Sequence, residues 1–287
     1  MKQLICVYVF FAFLLSSCYN GMSDVYDTLT DINKGIRITY MSNGATDGAV
    51  PNDNYPYKAG QDIVVSDNTG FLLNIDGATT AYKFMCWNTE SDGSGIDYFP
   101  GSTIDDVDSD VTLYAKWTPY AVKDIGPAGG WIFYDKGSYS SGWRYMEAAP
   151  DTTETFNKYW SITNPLSDNA NLGTTLSIGD GLSNTDLIIN GLTGQTGVAG
   201  YLCYNLSIEN NGKTYSDWFL PSYNEITEIY LNLHRASPPV GNFLDADYWS
   251  SSEVTNQTAY KKRFTAAGTQ VAGNKNENGR VRAVRYF

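Results

Sequence analysis

Residues 124–135 read DIGPAGGWIFYD, and the interpretation of the second half of the chain begins with them. The glycines and the proline of residues 126–130 predict a tight turn, because these residue types readily adopt the backbone conformations that turns require. The aromatic and branched residues that follow predict a strand over residues 131–137. A second strand is predicted over residues 143–150 and stops at its proline, which has no backbone N–H for a sheet. A β-hairpin is therefore expected to open this part of the chain.

Further helices and strands are predicted after this hairpin. Residues 222–225 read SYNE, a capping box in which Ser222 accepts from the backbone of Glu225 while Glu225 reaches back, so a helix begins there. Its apolar residues fall on one face, which predicts packing against a core. The remaining predicted elements are two helices and three strands, over residues 184–190, 198–204, 248–253, 259–264 and 281–287.

Short motifs occur in order along residues 120–287. They are DIGPAGG at 124–130, GWRY at 142–145, EAAP at 147–150, IGDG at 178–181, SDWFLPS at 216–222, YWSSSE at 248–253 and VRAVR at 281–285. With these motifs the segment resembles the C-terminal domain of the Legionella collagen-like adhesin, a divergent C-type lectin-like fold. The resemblance implies a ligand-binding domain of a surface or secreted bacterial protein, with sulfated glycans as the ligands of the namesake.

Two departures from the wider lectin-like fold limit what the resemblance implies. The triplets Glu-Pro-Asn, Gln-Pro-Asp and Trp-Asn-Asp of calcium-dependent sugar-binding lectins do not occur here, so calcium-dependent sugar binding is not expected. The formylglycine-generating branch needs paired redox cysteines, whereas this segment has only Cys203, so that oxidase chemistry is rejected. Cys203 and Cys86 both lie in apolar surroundings and are predicted to be small buried hydrophobic residues.

The first half of the mature chain shows a different pattern. Alternating polar and apolar residues predict strands over residues 36–40 and 110–117, with a third strand over 82–87 and one short helix somewhere in 67–80. The motifs ITY at 38–40, YKAG at 57–60, FMCWNT at 84–89, DGSG at 92–95 and VTLYAKW at 111–117 resemble one Listeria-Bacteroides repeat of the internalin B-repeat type. This resemblance implies a small β-grasp-like module. Trp87 and Trp117 are predicted to anchor its core.

The fold class predicted from both halves is α+β. A small β-grasp-like repeat module over residues 35–118 is followed by a C-type lectin-like domain over residues 120–287. A proline at the end of the strand-like run over 110–117 marks the boundary between them.

The N-terminus reads as a targeting segment. Lys2 supplies a positive charge, residues 5–15 an apolar core too short to span a bilayer, and residues 15–18 read LSSC. This end resembles the lipobox of bacterial lipoproteins, which implies a signal peptide over residues 1–17 and acylation of Cys18. Residues 18–34 would then form a polar tether. The expected location is the cell envelope, at the outer membrane or cell surface, with membrane contact through the lipid only; a plain signal peptide is the alternative.

Composition excludes several functions. The 287 residues include 19 Lys and Arg against 31 Asp and Glu, a net charge of -12, so an electrostatic grip on nucleic acid is not expected. One His and four Cys leave few groups for a zinc site or a His-based triad, and no metal or cofactor is predicted. Four carboxylates at 105–110 could suggest calcium, but their spacing lacks the glycine and glutamate of an EF-hand, so a solvated loop is favoured.

The resemblance to the lectin-like fold implies that the long loops between the last strands, here called the late loops, carry the ligand surface. Tyr and Asn make adaptable contacts at low entropic cost, whereas Trp249 is predicted to pack in the core. The candidate ligand-binding residues are Asn242, Phe243, Asp245, Asp247, Tyr248, Glu253, Asn256, Tyr260 and Lys262.

The C-terminal 27 residues are basic within an acidic protein. Glu277 is their only acidic residue, against Lys261, Lys262, Arg263, Lys275, Arg280, Arg282 and Arg285. One hypothesis is a patch that binds a sulfated or carboxylated ligand. The alternative is that Arg282 and Arg285 pair with carboxylates of the domain such as Asp217 or Glu147.

The leading functional hypothesis is a non-enzymatic, adhesin-like, lipid-anchored surface protein. It would recognise a protein or glycan, including sulfated glycans, of a host or neighbouring cell. A retroelement-diversified variable receptor, with substitutions confined to residues 242–262, is the alternative. A glycan-active enzyme is less favoured, because Asp245 and Asp247 are the nearest approach to a catalytic carboxylate pair and residues 250–252 have no positioned base.

Overall fold

The computed structural model describes residues 35–53, 55–75, 81–163 and 171–287. The predicted signal peptide, the Cys18 lipidation site and the tether lie outside these residues. The chain divides into two compact units. The first unit contains the described residues up to Leu72 together with Phe84–Trp117, and the second contains Leu73–Lys83 with Thr118–Phe287.

The predicted α+β class is wrong, because the protein is mostly β. Strands account for 38% of the described residues and helices for 13%. The helices are short: α1 (Gly181–Gly191), α2 (Ala199–Tyr204) and α3 (Tyr223–Ile229), the last continuing into a π-helical turn over Tyr230–His234. Glycine, asparagine and proline interrupt the chain too often for long helices, whose nucleation is costly, while short strands between turns need no such run.

The first unit contains most of the first seven strands. These are β1 (Ile38–Met41), β2 (Gln61–Val64), β3 (Asn74–Ile75), β4 (Ala81–Asn88), β5 (Asp97–Tyr98), β6 (Thr103–Val107) and β7 (Val111–Pro119). β1 pairs with β7 in parallel, β5 with β4, and β2 with β6 antiparallel. The three predicted strands are confirmed. The short helix predicted in 67–80 does not occur in residues 67–75, where β3 lies instead, and residues 76–80 are outside the described chain.

Both predicted tryptophan anchors belong to the interior of the first unit. Trp87 is fully buried and its indole N–H donates to the carbonyl of Ser66 over 2.9 Å. Trp117 is partly buried against the same core and donates to the carbonyl of Asn43 over 2.7 Å. Cys86 is buried beside Trp87, and burial raises the pKa of its thiol to about 11, as expected of a structural cysteine.

The second unit contains ten further strands. They are β8 (Trp131–Ser140), β9 (Trp143–Ala148), β10 (Thr155–Lys158), β11 (Ile208–Asn210), β12 (Lys213–Tyr215), β13 (Asp247–Glu253), β14 (Thr258–Arg263), β15 (Gln270–Asn274), β16 (Gly279–Val281) and β17 (Val284–Tyr286). Five of them form a sheet in the order β10-β16-β13-β14-β15, three form a sheet in the order β17-β9-β8, and β11 pairs with β12.

Several local predictions for the second unit are confirmed. β8 and β9 form the antiparallel hairpin, and α3 begins with the complete capping box at Ser222. The strand predicted over 281–287 is wrong in one respect, because it is two strands in different sheets. β16 pairs with β10 and β13, whereas β17 pairs with β9.

Two apolar clusters flank these sheets. One contains Trp160, Trp218 and Trp249 with residues of α1 and α2, and Cys203 lies in it. The other contains Phe133, Phe219, Tyr248 and Phe264 with the apolar face of α3. The expected core positions of Trp249 and Cys203 are therefore confirmed.

The turn at residues 126–130 surrounds a buried carboxylate. The backbone N–H groups of Ala128 and Gly130 donate to the two oxygens of Glu147, over 3.2 and 3.0 Å. A Cβ on Gly126 would lie 2.4 Å from Glu147 Oε2, and one on Gly130 would lie 2.3 Å from the carbonyl oxygen of Ala148. At Gly126 and Gly130 glycine is required for close approach to β9, whereas Gly129 has a positive φ of 80°.

We expect Gly130→Ala to lower the free energy of unfolding by about 1–3 kcal/mol, because the new methyl group must displace backbone. Gly197→Ala is the matched control, since nothing lies within 4 Å of its added Cβ. Urea denaturation of the two variants and the parent chain measures the difference. Equal stability of the two variants would contradict the close-approach explanation.

Candidate functional site

Arg285 is held inside the second unit by two carboxylates. Its Nε and Nη2 donate to Asp217 over 2.7 and 2.8 Å, and its Nη1 donates to Glu147 over 2.7 Å. Burial raises the pKa of Glu147, and the charge of Arg285 opposes that rise. The expected pairing of Arg285 with Asp217 or Glu147 is confirmed with both partners.

Arg282 is also buried, but it pairs with a carboxylate that was not predicted. Its guanidinium donates to Glu154 from Nε over 3.0 Å and lies over the ring of Phe243, 4.3 Å from the centroid. Arg280 and the hydroxyl of Tyr248 donate to the same carboxylate, over 2.7 and 3.1 Å. Glu154 therefore serves as the common acceptor for both arginines.

Arg263 and the lysines of the C-terminal segment also pair with carboxylates of the chain, with one exception. Lys275 is buried in a pair with Glu253, and Arg263 pairs with Asp247 over 2.7 Å. Lys261 lies 3.4 Å from Glu277 and donates to a backbone carbonyl. Six of the seven cations predicted as an anion-binding patch thus have an acidic partner within the chain. The exception is Lys262.

Three of the nine candidate ligand-binding residues are internal. Phe243 packs under Arg282 and Tyr248 is fully buried in the cluster beside α3. Glu253 accepts from the backbone of Leu172 over 2.6 Å in addition to Lys275. These side chains support the late loops and do not line an accessible surface.

Four other candidates lie near the surface without forming one site. Asn242 is exposed and donates to Asp151 over 2.7 Å. Asp245 is exposed, 3.3 Å from the imidazole of His234, and Asp247 is paired with Arg263. Asn256 is half-buried in the turn between β13 and β14.

Tyr260 and Lys262 are the two candidates that the structure brings together, and they meet a third residue that the sequence did not single out. Tyr260 and Lys262 are two residues apart along β14, so their side chains lie on the same face of the sheet. Tyr223, the first residue of α3, lies against that face, with its ring centroid 5.2 Å from that of Tyr260. Tyr230 lies below. We call Tyr223, Tyr230, Tyr260 and Lys262 the tyrosine–lysine cluster.

Lys262 is the electrostatic centre of this cluster. The residue is 6% exposed, and its Nζ lies 4.9 Å from the ring centroid of Tyr230 and 5.7 Å from that of Tyr223. Burial lowers the pKa of Lys262, and among the described residues no carboxylate lies near enough to raise it. Tyr145 and Thr155 carry the described side-chain oxygens that are enclosed without a partner. The Nζ of Lys262 is not enclosed in that way and keeps contact with solvent.

The cluster offers aromatic surface beside one available positive charge. Tyr223 and Tyr260 are half-buried, so part of each ring faces outward. Tyrosine supplies contact area with few rotatable bonds, and an ammonium that is not paired with a carboxylate can bind an anionic ligand. Tyr223 follows the helix cap directly in sequence, so the capping box at 222–225 was a local signal for its position but not for its neighbours.

Within the described ranges no group of three or more His, Cys, Asp or Glu side chains could hold a metal ion. No helix of the described chain is long and apolar enough to cross a membrane. Asp106, in the acidic segment 105–110, is exposed, and Asp110 accepts from the backbone of Arg37 over 2.9 Å.

Comparisons with known proteins do not test the two resemblances that were stated from the sequence. No protein-family model matches the chain, and no curated protein matches it significantly. The repeat and the lectin-like domain therefore stay predictions.

We expect Arg285→Met to lower the free energy of unfolding by about 3–5 kcal/mol, because it leaves the buried carboxylate of Glu147 without its cation. Arg263→Met is the control, since it breaks an ion pair at the exposed end of β14 and should cost far less. Chemical denaturation at neutral pH compares the two. A loss from Arg285→Met as small as that of the control would contradict a structural role for the buried pair.

Proposed function

We propose that the chain is an adhesin-like, lipid-anchored binding protein of the cell envelope. It recognises a protein or glycan ligand of a host or neighbouring cell through its second unit. The observation that carries this proposal is the tyrosine–lysine cluster, which combines partly exposed rings with a cation that has no acidic partner in the described part of the chain.

A rigid support beneath the cluster favours recognition without rearrangement. β14 carries Tyr260 and Lys262 and lies between β13 and β15, with α3 packed across it. The pairs of Lys275 with Glu253 and of Arg263 with Asp247 hold the neighbouring strands and turns. A side chain fixed by its surroundings loses less entropy when a ligand binds.

Binding is favoured over hydrolysis by the way the nearby carboxylates are used. A glycosidase needs two carboxyl groups facing each other across the scissile bond. Here Asp247, Glu253 and Glu154 each accept from lysine or arginine side chains. Asp245 is exposed beside His234, and the described residues place no unpaired carboxylate opposite it.

The burial of several residues in 242–262 argues against wide diversification of this segment. Phe243, Tyr248 and Lys261 are buried and make specific contacts. Random substitution at these positions would destabilise the second unit. The variable-receptor alternative is therefore restricted to the exposed positions of this segment.

The proposal is tested by binding of the full-length chain, in detergent micelles, to an array of neutral, carboxylated and sulfated glycans and purified matrix proteins. Tyr260→Ala should weaken binding about tenfold, a loss of about 1.4 kcal/mol, because it removes one of the two outward rings. Tyr204→Ala, at an exposed tyrosine of α2, is the matched control and should bind as the parent does. Equal binding by both variants and the parent would refute the cluster as the site.

Anchoring is tested separately through Cys18. Cys18→Ser should abolish incorporation of labelled palmitate and move the protein from the membrane fraction to the soluble fraction, because acylation requires the thiol. Cys6→Ser, within the proposed signal peptide, is the control and should leave both unchanged. Undiminished incorporation of palmitate by Cys18→Ser would rule out lipid anchoring at this residue.

A further inference from the structure

Lys275 and Glu253 form a pair that is closed off from solvent. The side chain of Lys275 is 0% exposed and that of Glu253 is 3% exposed. Glu253 is the last residue of β13, and Lys275 directly follows the last residue of β15. Because β14 lies between these two strands, the pair joins the two neighbours of the strand that carries Tyr260 and Lys262.

The surroundings of Lys275 do not satisfy an ammonium group. An ammonium has three N–H donors, and each needs an acceptor where water is excluded. Among the described residues, Oε1 of Glu253 is the one hydrogen-bond acceptor of Nζ, and the ring centroid of Trp160 lies 4.4 Å from Nζ. Arg282, which is nearly as deeply buried, donates to a carboxylate and to two backbone carbonyls. A charged Lys275 therefore leaves at least one N–H without an acceptor among these groups.

An amide between the two side chains would match the same surroundings. Oε2 of Glu253 already accepts from the backbone N–H of Leu172 over 2.6 Å, as the oxygen of an amide would. An amide nitrogen keeps a single N–H, and the ring of Trp160 lies where it can accept it. Both charges disappear, and with them the cost of removing two ions from water.

We propose that Lys275 and Glu253 condense in the folded protein to an isopeptide bond, an internal covalent cross-link of the second unit. One proton passes from the Lys275 ammonium to Oε1 of Glu253, which leaves a neutral amine beside a neutral acid. Nζ then attacks Cδ, and the bond between nitrogen and carbon forms. The bond from Cδ to Oε1 breaks, and Oε1 leaves as water with a second proton from the nitrogen. Oε2 stays as the amide oxygen, so the reaction needs no further reactant.

The contacts of the pair favour this reaction. Burial lowers the pKa of Lys275, which increases the share of the neutral amine that can attack. The N–H of Leu172 stabilises the negative charge that develops on Oε2. Two groups held in contact also react without the entropic cost of an encounter. The pair of Lys261 with Glu277 lacks these features, because the side chain of Glu277 is 50% exposed.

The cross-link goes beyond the proposed binding function and does not depend on it. It joins residues 22 positions apart in sequence and connects β13 to β15 across β14. An amide does not dissociate when the protein is pulled or heated, whereas an ion pair does. The order of these three strands is thereby fixed by a covalent bond in addition to their backbone hydrogen bonds.

Tryptic peptide mapping of the full-length chain, kept in detergent micelles at neutral pH for a day, detects the bond directly. We expect residues 236–261 to be joined to residues 264–280, with the mass of the two peptides less one water, because trypsin does not cleave after an acylated lysine. Recovery of residues 264–275 and 236–261 as separate peptides, without the joined species, would overturn the proposal.

Two lysine variants locate the bond. Lys275→Met should lose the joined species completely. Lys261→Met is the matched control, since it removes the other lysine that is paired with a glutamate in this segment, and it should keep the cross-link. A joined species that persists in Lys275→Met would place the bond at another residue and refute the assignment.

Amine labelling of the parent chain gives a second measurement, which needs no variant to fold. In concentrated guanidinium chloride an ion pair separates, and acetic anhydride reaches every free amine. We expect Lys261 to be acetylated under these conditions while Lys275 is not, because its nitrogen is already an amide. Equal acetylation of the two lysines would show that Lys275 and Glu253 are only an ion pair.

Discussion

The buried ion pair between Glu147 and Arg285 is the interaction on which the second unit depends. It joins residues 138 positions apart in sequence, and it holds the turn at 126–130, β9 and β17 around one carboxylate. A buried charge of this kind must have both its partner and its hydrogen bonds, because either alone leaves a large desolvation cost. Gly126 and Gly130 follow from this requirement, since a Cβ there would collide with the carboxylate or with β9.

The cost of burying an unpaired charge also explains why a basic segment in an acidic protein does not form a basic surface. Arg285, Arg282 and Lys275 are buried, and Glu147, Glu154 and Glu253 accept from them in a low-dielectric interior. The charge surplus read from the segment is thus mostly neutralised within the second unit. Among the described residues, Lys262, which lies among tyrosine rings, is the one cation of this segment without an acidic partner.

Local patterns predicted the elements well where neighbouring residues decide the outcome. The hairpin of β8 and β9, the capping box at Ser222 and the burial of Trp87 and Trp249 depend on turn residues, side-chain caps and apolar volume, all visible in a short window. The α+β class is wrong because each helix ends within six to eleven residues, so strand residues outnumber helical ones. The strand predicted over 281–287 failed because its alternation does not show that the chain changes sheets between β16 and β17.

Only part of the candidate site could be predicted from the sequence. Tyr260 and Lys262 could be selected as polar and aromatic residues of a late strand, but Phe243 and Tyr248 match the same description and are buried. Tyr223 was missed because it joins β14 only when α3 packs across the sheet. By itself the sequence determined the strands, turns and caps, since these depend on residues close together along the chain. Only the tertiary structure decided which charges are paired and which lysine is left, because ion pairing depends on distances between residues far apart in sequence.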